Sequence, residues 1–193
     1  MGVAFFIYLH MCKSESRMKR ILLSIVFALV AFAATAQPRA IGARIGVTGL
    51  EADYQHDMFK NQFLQGNLGL DYGVLAKSQP GIKATAIYNF IWARPAWTDQ
   101  GTWALYAGPG ASMGYVHDDA HYKVGKEVIA YKSAGFMLGV CAQVGVEYTF
   151  WFPLQVSIDL RPTVGMHVDR ERVGLYDSGF LGFSPHVAVR YRF

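Results

Sequence analysis

Apolar and polar residues alternate with a period of two along most of the chain after residue 37. In residues 154–168, Leu154, Val156, Ile158, Leu160, Val164, Met166 and Val168 share one parity. Gln155, Ser157, Asp159, Arg161, Thr163, Gly165 and His167 share the other. Successive strand side chains point to opposite faces, so this segment predicts a strand with one apolar face and one polar or small face. Residues 134–149 repeat the pattern, with Phe136, Leu138, Val140, Val144 and Val146 opposing Gln143, Glu147, Thr149 and several glycines. Residues 62–75, 81–93, 102–117 and 179–193 alternate in the same way. Each run is well over ten residues, longer than the ~5–6 of an ordinary strand. Such lengths match the ~9–11 residues of a tilted membrane strand with an extension beyond it. The charges share a face with Gly, Ser and Thr. A sandwich or a lipocalin-like barrel carries its charges outward instead, so the pattern predicts a barrel with lipid outside and a polar interior. In lipid every backbone N–H and C=O must pair internally, so the sheet must close.

Residues 41–56 decide the strand count. The apolar parity there changes from odd (Ile41, Ala43, Ile45, Val47) to even (Leu50, Ala52, Tyr54) around Thr48-Gly49. We read two short strands, 39–47 and 50–57, joined by a tight turn. A single long strand bent at a bulge is the other reading. Two strands bring the total to eight, an even number that places both termini on one side. The fold class is therefore an all-β, eight-stranded, antiparallel up-and-down transmembrane β-barrel. Residues 76–80, 117–133 and 169–178 then form outer loops, and 57–61, 94–101 and 150–153 form inner turns. Trp92, Trp97, Trp103, Tyr148, Phe150, Trp151, Tyr191 and Phe193 fall near the inner rim and suit a headgroup-level girdle.

The first 36 residues read differently. Met18-Lys19-Arg20 opens a basic segment, residues 21–33 are apolar, and Ala34-Thr35-Ala36 precedes Gln37 as a small-residue cleavage site. This is the secretory leader pattern. Translation is expected to start at Met18, with 1–36 an upstream extension plus a cleaved signal peptide and 37–193 the barrel domain. The apolar stretch is shorter than the ~20 residues of a spanning helix.

The whole chain has 193 residues and a formal charge of +4, with 52% hydrophobic, 15% aromatic and 17% charged residues. Much of that charge belongs to the leader. Fourteen basic and thirteen acidic residues remain after Gln37, which removes the electrostatic support for nucleic-acid binding. Only Cys141 remains among the cysteines, so no internal disulfide is expected.

Three segments carry a resemblance beside the leader: Gly-Ala-Arg-Ile-Gly at 42–46, Gly-Val-Glu-Tyr-Thr-Phe at 145–150, and Val-Ala-Val-Arg-Tyr-Arg-Phe at 187–193. With them the chain resembles the small eight-stranded outer-membrane barrels of the OmpA transmembrane domain, OmpX and opacity type, often labelled porin family. The resemblance implies an exported cell-envelope protein of a Gram-negative-type bacterium. It implies outer-membrane lipids and lipopolysaccharide as partners, and a last strand with Tyr191 and Phe193 as the signal read by the outer-membrane assembly machinery. An extracellular ligand is open.

Ten charges are expected inside: Arg44, Lys83, Arg161, Arg190 and Arg192 against Glu51, Asp53, Asp71, Glu147 and Asp159. An eight-stranded barrel is just wide enough for side chains to fill. Lone buried charges cost several kcal/mol each, so these are expected to pair into a polar plug. A structural or surface-interaction role fits this best. A narrow pore for small solutes is the alternative, and a lipid A-modifying enzyme a more distant one. Ser157, Asp159 and His167 share an inward face, as do Ser184 and His186, but neighbours at i and i+2 stand roughly 6–7 Å apart, beyond nucleophile–base contact. His117, Asp118, Asp119 and His121 match no named metal spacing. No catalytic residue, cofactor or metal is predicted.

Overall fold

A computed structural model describes residues 39–73, 79–124, 127–170, 173–176 and 185–193, with the side chains of 119–132 left aside. The leader and the start at Met18 lie outside the described residues. The described chain is a closed antiparallel barrel of eight strands. They are β1 (Arg39–Gly46), β2 (Gly49–Phe59), β3 (Gln62–Asp71), β4 (Gly81–Ala93), β5 (Thr102–Val124), β6 (Glu127–Thr149), β7 (Leu154–Leu160 and Thr163–Val168) and β8 (Val173–Leu175 and Pro185–Arg192). Each pairs with its sequence neighbours, and β1 pairs with β8, so no strand is left as an edge. Arg39 and Phe193 exchange backbone hydrogen bonds of 3.1 and 2.8 Å where the ring closes.

β7 is one strand in two pieces. Leu160 faces Val144 and Thr163 faces Cys141 in a single register on β6. Pro162 between them has no N–H to give, yet its carbonyl still accepts from Ala142 N at 3.1 Å.

Residues 41–56 form two strands. Gly46 faces Gly49, so the turn is Val47-Thr48, one residue earlier than expected. A two-residue connection pairs odd positions with even ones, here Ile45 with Leu50 and Ile41 with Tyr54. That is the physical cause of the parity switch.

Other boundaries differ from expectation. Residues 117–133 are not a loop: the β5–β6 ladder continues to Val124 opposite Glu127. Polarity hid the strand here, although Tyr122, Val124, Val128, Ile129 and Tyr131 favour extended backbone. The expected loop 169–178 contains Val173–Leu175, paired with Met166–Val168. β3 stops at Asp71, not 75. The Asp71 carboxylate accepts from Gly73 N at 2.9 Å, and Gly73 takes φ +67°, a local turn that diverts the chain. At the other end, residues 57–61 shrink to a Lys60-Asn61 turn beside a bulge at Asp57/Phe59.

Burial is the reverse of a soluble protein. Ile45, Leu50, Leu68, Ile82, Met113, Leu138, Val140, Ile158, Met166 and Val189 are exposed, whereas Arg44, Asp53, Gln65, Asn89, Asp159 and Arg190 are buried. From the row of Ile41 to the row of Tyr115, Phe136 and Val168, no Asp, Glu, Lys or Arg stands at an outward position of the described strands. Monomeric soluble proteins rarely show an apolar patch beyond a few hundred Å². At the turn end, aromatic rings touch in a chain, Trp97–Trp103–Tyr148–Phe150–Phe152, with centroids 4.6–5.2 Å apart.

Interior glycines make room for large neighbours. Tyr106 faces Gly145 across the β5–β6 ladder. A Cβ at Gly145 would sit 2.7 Å from the Tyr106 ring and 2.5 Å from Asp159 Cβ. Gly145→Val is therefore expected to destabilise the barrel by about 1–3 kcal/mol through overpacking. Urea unfolding of the barrel refolded in detergent micelles, followed by tryptophan fluorescence, checks this.

Candidate functional site

The inward faces of β1, β2, β7 and β8 hold a set of charges joined across the lumen. Arg44 on β1 is fully buried and forms an ion pair with Asp159 on β7. Its Nε and Nη1 stand 3.7 Å from Glu51 and Asp53 on β2, attractive but beyond hydrogen-bond distance. Arg161 donates to Glu51 at 2.8 Å. Arg190 donates to Asp53 at 2.7 Å and to Ser157 Oγ at 3.0 Å, and lies 3.7 Å from Glu147. The geometry follows from barrel closure: β1 pairs with both β2 and β8, so the carboxylates of β2 meet guanidiniums from three strands.

Neutral groups extend the set. Tyr106 OH donates to Asp159 at 3.2 Å, and Gln65 Nε2 donates to Asp53 at 3.2 Å. Asn89 and Gln143 in turn donate to Gln65 Oε1 at 3.3 and 3.2 Å. Buried charges persist where extra hydrogen bonds satisfy their remaining lone pairs.

A second cluster closes the opposite end from the turns. Asp71 accepts from Lys83 Nζ at 2.5 Å and from Tyr176 OH at 3.0 Å. Tyr176 packs with Val116 and Met137 in a buried apolar group. Its backbone N donates to Gly165 O at 2.9 Å, which ties the 173–176 segment to β7.

Nine of the ten predicted charges fall in these two clusters. Arg192 stands apart. It is partly exposed at the turn end and donates to Asp57 at 3.0 Å. Tyr191 and Phe193 are exposed on the outside of the same rim. Tyr106, Gln65, Asn89 and Gln143 were legible as inward by parity, but nothing in the sequence marks them as partners of charges. Asp57 was hidden by the bulge and Tyr176 by an expected loop.

The Ser157, Asp159 and His167 set is not brought together. Ser157 accepts from Arg190, Asp159 serves Arg44 and Tyr106, and His167 Nε2 lies 3.3 Å from Val116 O. Ser184 and the side chains of Asp119 and His121 lie outside the described residues. Among the described residues no group of three or more His, Cys, Asp or Glu is arranged to hold a metal ion.

At the turn end the lumen opens into a chamber of about 140 Å³, with Glu147 and Gln155 at its floor and Asp57, Lys60, Arg94 and Arg192 around it.

No family model and no curated protein matches the chain. Among solved structures it is similar to the N-terminal β-barrel domain of Pseudomonas aeruginosa OprF, with a TM-score of 0.41 and 9% identity over 81% of this chain and 96% of that one. It is also similar to the Yersinia pestis outer membrane protein Ail, solved in a phospholipid bilayer nanodisc, with a TM-score of 0.34 and 8% identity over 81% of this chain and 98% of that one.

Proposed function

We propose that this chain is an integral outer-membrane β-barrel protein with a structural or surface-interaction role and a lumen filled by its own side chains. One observation carries the reading: the closed barrel exposes an uncharged apolar belt and buries its charges. A surrounding of hydrocarbon makes that arrangement favourable, since each exposed apolar Å² costs roughly 25 cal/mol in water. No apolar run after residue 37 is long enough to stop in a membrane as a helix. A chain exported by the leader would therefore cross the inner membrane entirely and insert at the outer one. In this reading outer-membrane lipids and lipopolysaccharide bound the belt, and the assembly machinery reads the last strand with Tyr191 and Phe193. The β5–β6 hairpin, which outruns its neighbours, then stands on the outer side as the surface for contact.

A gel of outer-membrane fractions, boiled and unboiled side by side, tests the assignment. The unboiled protein is expected to migrate differently from the boiled one and to sit in that fraction. A soluble periplasmic protein with no shift overturns the reading. Single-channel recording separates the filled lumen from a narrow pore: Arg44 and Arg190 occupy its middle, so no steady conductance is expected.

A further inference from the structure

The chamber at the turn end has a chemistry that the central ion pairs do not use. Its floor is acceptor-rich. Glu147 and Gln155 are 6% and 2% exposed. Glu147 Oε2 and Gln155 Oε1 have no hydrogen-bond partner among the described residues. Gln55 Oε1, beside them, likewise has no donor among the described residues. Arg190 Nη1 stands 3.7 Å from Glu147 Oε2, beyond hydrogen-bond distance. Buried acceptors without donors are costly and rare in native proteins.

The rim is the opposite. Lys60 and Arg94 are exposed there, and Arg192 is held by Asp57 at 3.0 Å. Arg94, which lines the chamber, donates to Lys60 O at 3.0 Å. A guanidinium has five N–H donors, and this bond engages only one of its nitrogens. Three cations surround the entrance against the single carboxylate of Asp57.

The two demands are separated in space. The floor calls for an N–H donor and the rim for an anion. A simple anion leaves the floor unmet and approaches the Glu147 charge, whereas a simple cation must pass the rim. The volume suits a molecule the size of four or five waters at ~30 Å³ each. We propose that this chamber binds a small zwitterion of the α-amino-acid type, its ammonium on Glu147 and Gln155 and its carboxylate on Arg94 and Lys60. The site stands on the chamber's own geometry and is independent of where the barrel resides.

The test uses the full barrel refolded in detergent micelles and labelled with ¹⁵N. Glycine, acetate and methylammonium are titrated separately at matched ionic strength. Glycine is expected to shift the amides of Ala104, Glu147 and Gln155 saturably, with acetate and methylammonium each at least about tenfold weaker. Glu147→Gln is expected to weaken glycine about tenfold. Because Glu147 also neighbours Arg190, a second variant is needed that leaves the ion pairs alone. Thr102→Trp, at an exposed rim position, is expected to block the chamber and abolish the shifts while the spectrum elsewhere stays unchanged. Acetate binding as tightly as glycine, non-saturating shifts, or glycine binding unaffected by Thr102→Trp each overturn the proposal.

Discussion

Replacing Arg44 by alanine is expected to destabilise the barrel by about 3–5 kcal/mol, the loss typical of breaking a buried ion pair from one side. Arg44 has no exposed surface and lies among Glu51, Asp53 and Asp159. Removing it leaves carboxylates in a lumen with little room for water. Arg161 is already engaged by Glu51, and Arg190 by Asp53 and Ser157, so neither can take over Asp159 without giving up a partner. The double variant Arg44→Ala/Asp159→Asn is expected to recover about 0.5–3 kcal/mol of the loss, the coupling of groups in direct contact. Urea unfolding of the refolded proteins, followed by tryptophan fluorescence at neutral pH, gives both numbers. A loss below about 1 kcal/mol for the single variant would mean that water enters and solvates the carboxylates. The lumen would then be wet rather than filled, and conductance would have to be measured again.

The inside and outside of this barrel were legible because a period of two leaves no ambiguity of face. Parity even placed Ile87 and Met137 inside, although hydrophobicity alone would put them out, and both are fully buried. The count of eight was legible from one detail, the parity switch between Ile45 and Leu50. What stayed hidden is the partnering. Arg44 meets Asp159 and Arg161 meets Glu51 across more than a hundred residues. Those meetings depend on strand tilt and stagger, which alternation does not encode. The extent of the hairpin was hidden for another reason. From Asp118 to Lys132, β5 and β6 lose the apolar–polar alternation while keeping their ladder. Tyr176 shows a third limit: it follows a strand piece of only three residues, Val173–Leu175, too short for an alternation to mark it or its bond to Asp71.

Placing arginine at Val140 tests the outer face as directly as Arg44 tests the inner one. Val140 is 67% exposed in the middle of β6, between Ala111 on β5 and Val164 on β7. On the surface of a water-soluble protein such a change stays within about 0.5 kcal/mol. In a bilayer it places a guanidinium in hydrocarbon near mid-depth, and Val140→Arg is expected to cost about 2–4 kcal/mol for the barrel folded into lipid vesicles. Depth supplies the control. Ile82 opens β4 in the row of Tyr115 and Phe136, the last outward ring that β4 joins at the end away from the turns. A guanidinium there reaches the headgroups, so Ile82→Arg is expected to cost only about 0–1 kcal/mol beyond the lost side chain. The difference between the two variants, measured in the same vesicles, is the quantity that matters, because it cancels the general effect of a charge on the barrel wall. Equal costs at the two positions would mean that no hydrocarbon slab surrounds the belt. The apolar exterior would then have to be covered by protein.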